Sequence, residues 1–102
     1  GPRVLCIDDE VCRRLARTRE VVTYGTSLEA DYRIVDARAS TGTWEFSVSR
    51  RGEVLGEVEL PLRGIHNVRN AAGVIAMALE LGVDFQDVAA ALERFGNWPK
   101  LR

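Results

Sequence analysis

The chain has 102 residues, room for one small domain with a modest core. A formal net charge of −1 provides no attraction for nucleic acid or for an anionic membrane, so neither is an expected partner. No apolar run is long enough to span a bilayer, and the first residues lack the charged flank and apolar stretch of a signal peptide, so the expected location is cytoplasmic. The basic residues are almost all arginine, with Lys100 the only lysine, which reads as genomic bias. Cys6 and Cys12 fit neither a CxxC nor a zinc pattern and are expected to be reduced thiols. Gly1-Pro2 is set aside from the fold reasoning.

Val4-Leu5-Cys6-Ile7 is a short continuous apolar run, as in a strand buried on both faces of a parallel sheet. Asp8-Asp9-Glu10 then suits a helix N-terminus, where carboxylates meet free N–H groups and the positive end of the dipole. A metal site there is the weaker reading. The helix is predicted over Glu10 to Arg17, with Val11 and Leu15 facing inward, and a second strand over Glu20 to Tyr24 ends at Gly25. Together these form a βαβ unit with parallel strands.

The middle third changes period. Asp31 to Ala39 is a predicted strand with Tyr32 and Ile34 on one face. Trp44, Phe46 and Val48 alternate with polar residues and are expected in the core. Val54, Val58 and Leu60 alternate with Leu55, Glu57 and Glu59. Such period-two patterns describe strands with one wet face. Arg50-Arg51-Gly52-Glu53 supplies a solvated turn with Gly52 at positive φ, and Pro61 ends the meander. The last third is helical. His66 to Leu81 places Val68, Ala71, Ala72, Ile75, Ala78 and Leu79 on one stripe, and Gly82 closes the helix. Asp84, with Asp87 in a capping-box place, is expected to start a helix over Phe85 to Phe95, with Val88, Ala91, Leu92 and Phe95 inward and Gly96 at its end. The predicted fold is α/β: a short βαβ unit, an antiparallel β-meander, and two C-terminal helices on one sheet face.

One stretch could carry chemistry: Leu62-Arg63-Gly64-Ile65-His66-Asn67-Val68-Arg69-Asn70. Asn67 and Asn70 are three apart and share a face of the helix's opening turn. A carboxamide both donates and accepts, so it can pair with the N6/N7 edge of adenine. Asn and His near a helix start are more often caps, and on residue chemistry alone both readings stand.

Gly64-Ile65-His66-Asn67-Val68-Arg69-Asn70-Ala71 resembles the G-x-H-N-x-x-N-A segment of the Mur ligases. Val4-Leu5-Cys6-Ile7-Asp8-Asp9, Val22-Thr23-Tyr24-Gly25 with Ala30-Asp31, and Ala89-Ala90-Ala91-Leu92-Glu93-Arg94-Phe95 are similar to the alanine-adding branch, in one consistent order. The resemblance covers residues 3–96 as part of the central ATP-binding domain and leaves 97–102 as a divergent tail. It implies ATP and Mg²⁺ as cofactors, with UDP-N-acetylmuramate and L-alanine as substrates. The carboxylate of UDP-N-acetylmuramate would be phosphorylated, and the amino group of L-alanine would displace the phosphate to form an amide. It also implies an adenine site at Asn70, then Asn67, with His66 shaping the pocket. No chemical role attaches to Tyr24 or Gly25.

The departures shape the expectation for the chain itself. It has no Gly-Lys-Thr or Gly-Lys-Ser phosphate loop, and neither Lys100 nor Arg102 aligns securely to the family's phosphate-contacting arginine. Arg63 is expected at the surface. The fragment alone is therefore expected to be inactive, to hold no cofactor tightly, and to self-associate as a possible homodimer through apolar surface that a longer protein would cover. Two alternatives remain: a stand-alone, non-catalytic interaction or scaffold module, and a piece of another superfamily ligase such as folylpolyglutamate synthase.

Overall fold

Parallel and antiparallel pairing meet in one sheet here. The structure, a computed structural model, describes residues 3–18, 20–61 and 65–94. The elements are β1 (Val4–Cys6), α1 (Glu10–Thr18), β2 (Val22–Gly25), β3 (Tyr32–Ser40), β4 (Thr43–Arg50), β5 (Glu53–Leu60), α2 (Ile65–Glu80) and α3 (Phe85–Glu93). The five strands lie in sequence order, β1-β2-β3-β4-β5. β1 and β2 are parallel, as the βαβ reading requires, and β3, β4 and β5 form the antiparallel meander. The predicted α/β fold is what the chain adopts.

The joint between the two halves was not legible beforehand. β2 and β3 are parallel, although only Thr26–Asp31 connects them. Parallel neighbours normally need a crossover of a dozen residues or more. A short link suffices because Tyr32 pairs beside Tyr24, so β3 starts where β2 ends and the chain steps back only one position. Asp31 and Thr23 fasten this step: the Asp31 carboxylate accepts from Thr23 N at 3.0 Å and Oγ1 at 3.2 Å, and Asp31 N donates to Thr23 Oγ1 at 3.0 Å. Buried Thr23 is thereby satisfied.

The core lies between one sheet face and the two last helices. Tyr32, Ile34, Phe46, Val48, Val58 and Leu60 meet Val68, Ala71, Ala72, Ile75 and Ala76 of α2 and Val88, Ala89 and Leu92 of α3. Trp44 is half-buried against the same cluster, as expected. The opposite face is wet, and Arg38 pairs there with Glu45 and Glu57.

Five side-chain expectations need correction. Val11 is 64% exposed, because the inner face of α1 is Cys12, Arg13 and Ala16; Leu15 sits more than one-third exposed beside a shallow cleft. Asp9 sets this azimuth by accepting from Val11 N at 2.8 Å and Cys12 N at 3.1 Å, while Arg13 Nε donates to Ile7 O. Val54 is 62% exposed and Leu55 packs on the core instead. The register shifts there, with Val48 opposite Gly56 but Ser49 opposite Val54, so Leu55 is an extra residue and the alternation changes parity. Gly56 has a second reason to be glycine: an added Cβ would lie 2.6 Å from Phe85 Cε2. In α3 the buried residues are Val88, Ala89 and Leu92, while Ala91 is exposed. Asp84 starts that helix without a side-chain cap bond; its carbonyl accepts from Asp87 N and Val88 N, so no capping box forms. Phe95, Gly96 and the 97–102 tail lie outside the described residues, as do Gly1-Pro2 and Leu62-Arg63-Gly64.

The β4–β5 turn carries positive φ at both Arg51 (49°) and Gly52 (88°), the twist a two-residue hairpin needs. α2 ends as predicted: Val83 N donates to Ala78 O and Gly82 N to Leu79 O, with Gly82 at φ 91°. Just before that end, Tyr32 Oη donates to Glu80 Oε2 at 2.7 Å, and Arg50 lies 3.3 Å from the same oxygen and over the Tyr32 ring. Burial first, then the bond to Glu80, push the Tyr32 phenol from its usual 10.0 up to about 12. The folded state thus favours the protonated phenol, so its contribution is full below pH 10 and is lost as pH rises towards 12. Urea unfolding midpoints should fall over that interval, and fall less steeply in Tyr32→Phe; equal slopes would contradict the assignment.

Candidate functional site

The predicted site residues sit where the opening turns of α2 meet the C-terminal ends of β1 and β2. His66 is exposed, Asn67 half-buried and Asn70 exposed. Of the three, Asn70 lines a groove of about 610 Å³ whose other walls include Val4, Tyr24, Gly73, Val74 and Met77. Among the described residues, none that lines this groove is charged, although 28% of the chain is charged. An apolar trough with one carboxamide at its rim has the character of a small-molecule site. It also continues onto exposed Leu81 and Val83, apolar surface of the kind that promotes association.

Three contacts fix α2 over the strands. Near its start, Arg69 Nε lies 3.7 Å from Asp8 Oδ2. One turn later Gly73 lies against Tyr24; a Cβ there would sit 2.9 Å from Tyr24 Cζ. At its end Glu80 meets Tyr32 and Arg50. Burial, then the charges of Cys6, Cys12 and Asp8, raise the Tyr24 phenol above its usual range. Both cysteines are free thiols.

Asp8 does something that sequence reasoning missed. Asp9 caps α1, whereas Asp8 turns to the β2–β3 connection. Its carboxylate accepts from Thr26 N at 2.9 Å, Thr26 Oγ1 at 3.0 Å and Ser27 N at 3.1 Å. Gly25 makes room: a Cβ there would lie 2.8 Å from Asp8 Cγ. This gives Tyr24-Gly25 the role the motif alone could not. Glycine lets a carboxylate reach the loop, and tyrosine lets a helix rest on the sheet. Among the described residues, no group of three or more His, Cys, Asp or Glu converges in a way that could hold a metal ion. No described helix is long and apolar enough to cross a membrane.

A family model described as the Mur ligase middle domain matches residues 1–78. The UDP-N-acetylmuramate–L-alanine ligase of Halorhodospira halophila is 44% identical over 97 residues, covering 93% of this chain and 20% of that protein. The solved UDP-N-acetylmuramate-alanine ligase of Thermotoga maritima superposes with a TM-score of 0.77 at 33% identity, over 90% of this chain and 20% of that one. A folylpolyglutamate synthetase from Lactobacillus casei gives a TM-score of 0.64 at 19% identity, over 96% of this chain and 27% of that one, which is likeness of fold alone. The chain spans about a fifth of the length of the curated relatives it matches. With a middle-domain match over most of its length and the same sheet as the solved ligases, the chain belongs to the Mur ligase family.

Proposed function

We propose that this chain is part of an ATP-dependent ligase that joins L-alanine to UDP-N-acetylmuramate in the making of cell-wall precursors, working in the cytoplasm. The names of its 40%- and 42%-identical relatives support the substrates. The observation that carries the nucleotide reading is Asn70 at the rim of the groove, whose described lining is otherwise almost wholly apolar. Asn70 takes the amino and ring-nitrogen edge of adenine, Asn67 lies one turn before it, and His66 flanks both. The apolar wall accepts the flat face of the base. Asn70 and the apolar wall support the reading of an adenine site, and among the described residues no group of three or more His, Cys, Asp or Glu could hold Mg²⁺. We therefore place metal and phosphate handling outside this stretch and assign no step of the reaction to it. The chain alone should release no phosphate from ATP.

A titration with ATP and magnesium, followed by amide chemical shifts, tests the site. Shifts should cluster at Ile65 to Asn70 and appear at millimolar ligand. Asn70→Ala should weaken the response by about tenfold, the worth of a good bidentate pair. GTP, which offers two acceptors where adenine offers a donor and an acceptor, should bind more weakly than ATP. Shifts spread evenly over the surface, or none at all, would remove the nucleotide reading.

A further inference from the structure

The contact between Asp8 and Arg69 joins three parts of the chain. Asp8 follows β1, its hydrogen-bond partners Thr26 and Ser27 follow β2, and Arg69 belongs to α2. Arg69 stands between Asn67 and Asn70 in the helix, so any shift that moves its backbone moves both carboxamides. Its ion pair is unusual: Nε is buried and makes no hydrogen bond, with Asp8 Oδ2 3.7 Å away. The Asp8 oxygens are already engaged by the loop. Arg69 is thus held by charge towards a point that β1 and the β2–β3 loop define together. A buried donor without a bond is a costly feature to keep for stability alone. An aliphatic residue would pack that position without the penalty.

We propose that Arg69 is a positioning residue for Asn70, with Asp8 as its anchor. Asp8, fixed by four close approaches from the loop, acts as the reference point, and Arg69 carries that reference to the face of α2 that presents Asn70. Gly73 on Tyr24, one turn further on, removes the steric barrier that would otherwise lift the helix away. The proposal rests on the nucleotide reading of Asn70, and the test separates the two.

Two variants of the full 102-residue chain test it. Arg69→Met keeps the side-chain stem as far as the position of Nε but loses the guanidinium, its charge and the donors. Arg69→Lys keeps the charge. Three quantities are measured on each: melting temperature, the position of the Asn70 side-chain amide signals, and affinity for ATP with magnesium. Arg69→Met should leave melting unchanged or raise it, because it removes a buried donor without a bond while the pair, with the arginine 41% exposed, adds little stability. It should nonetheless move the Asn70 amide signals and weaken ATP by about fivefold or more. Arg69→Lys should bring both back towards the parent values. Asp8→Asn combined with Arg69→Met should be no worse for ATP than Asp8→Asn alone, since the two act in series. Unchanged ATP affinity in Arg69→Met would overturn the proposal, and so would a fall in melting temperature with Asn70 undisturbed. If the parent chain shows no response to ATP, the nucleotide reading fails by itself. The Asn70 amide then decides the positioning claim: movement in Met reversed in Lys upholds it, and no movement ends it.

Discussion

Replacing Phe46 by alanine is expected to destabilise the chain by about 3–5 kcal/mol, the usual result of emptying a fully buried aromatic site. Phe46 is 0% exposed, lies on β4 between two antiparallel neighbours, pairs across from Val58, and belongs to the cluster that α2 and α3 cover. A domain of this size has roughly 5–15 kcal/mol in all, so the variant would retain little margin. Melting should drop by roughly 15 °C or more, followed by circular dichroism. Trp44→Ala, at a half-buried position on the same strand, should lose distinctly less. A shift in Phe46→Ala below about 1 kcal/mol would mean that β4 is not the centre of the core.

Gly25→Ala should be nearly as damaging, for a different reason. The residue has φ 149°, where a side chain is strained, and the new methyl would lie 2.8 Å from Asp8 Cγ. That carboxylate cannot swing aside cheaply, because the Thr26 and Ser27 donors hold it. Strain and overlap together should remove about 2–4 kcal/mol, measured as a shift in the urea midpoint. The two causes separate in a double-variant cycle. Asp8→Ala removes the overlap and leaves only the backbone strain, so the pair should be less destabilising than the sum of the single variants. Strict additivity would show that Asp8 and Gly25 do not press on one another.

The period of the apolar residues made most of the framework legible. Tyr32 and Ile34, Phe46 and Val48, and Val58 and Leu60 were readable as strand faces because the pleat has period two. Val68, Ala71, Ala72 and Ile75 were readable as a helix face for the corresponding reason. The misreadings have local physical causes. One extra residue at Leu55 reversed the parity of Val54, and no composition signal announces a bulge except Gly56, which has a packing reason of its own. In α1 the two large apolar residues suggested the inner face, but the Asp9 cap and the reach of Arg13 to Ile7 O turned Val11 outwards. Asp84 fits a cap by residue type, yet its side chain makes no cap bond. The site was half legible. Asn67 and Asn70 stand out in the sequence, but Asp8 and Arg69 are 61 positions apart, and only the folded chain brings them within 3.7 Å.

The sequential order of the strands has a bearing on how the molecule is made. Each strand pairs with the one synthesised just before it, so little loop-closure entropy opposes assembly and the sheet can build outwards from β1 on the ribosome. The helices that shield its apolar side come last. A nascent chain that has just released Leu60 therefore carries Phe46, Val48 and Val58 bare until α2 and α3 emerge, a wait of a few seconds at roughly 5–20 residues per second. That interval, more than the finished fold, is when this apolar face is most open to association.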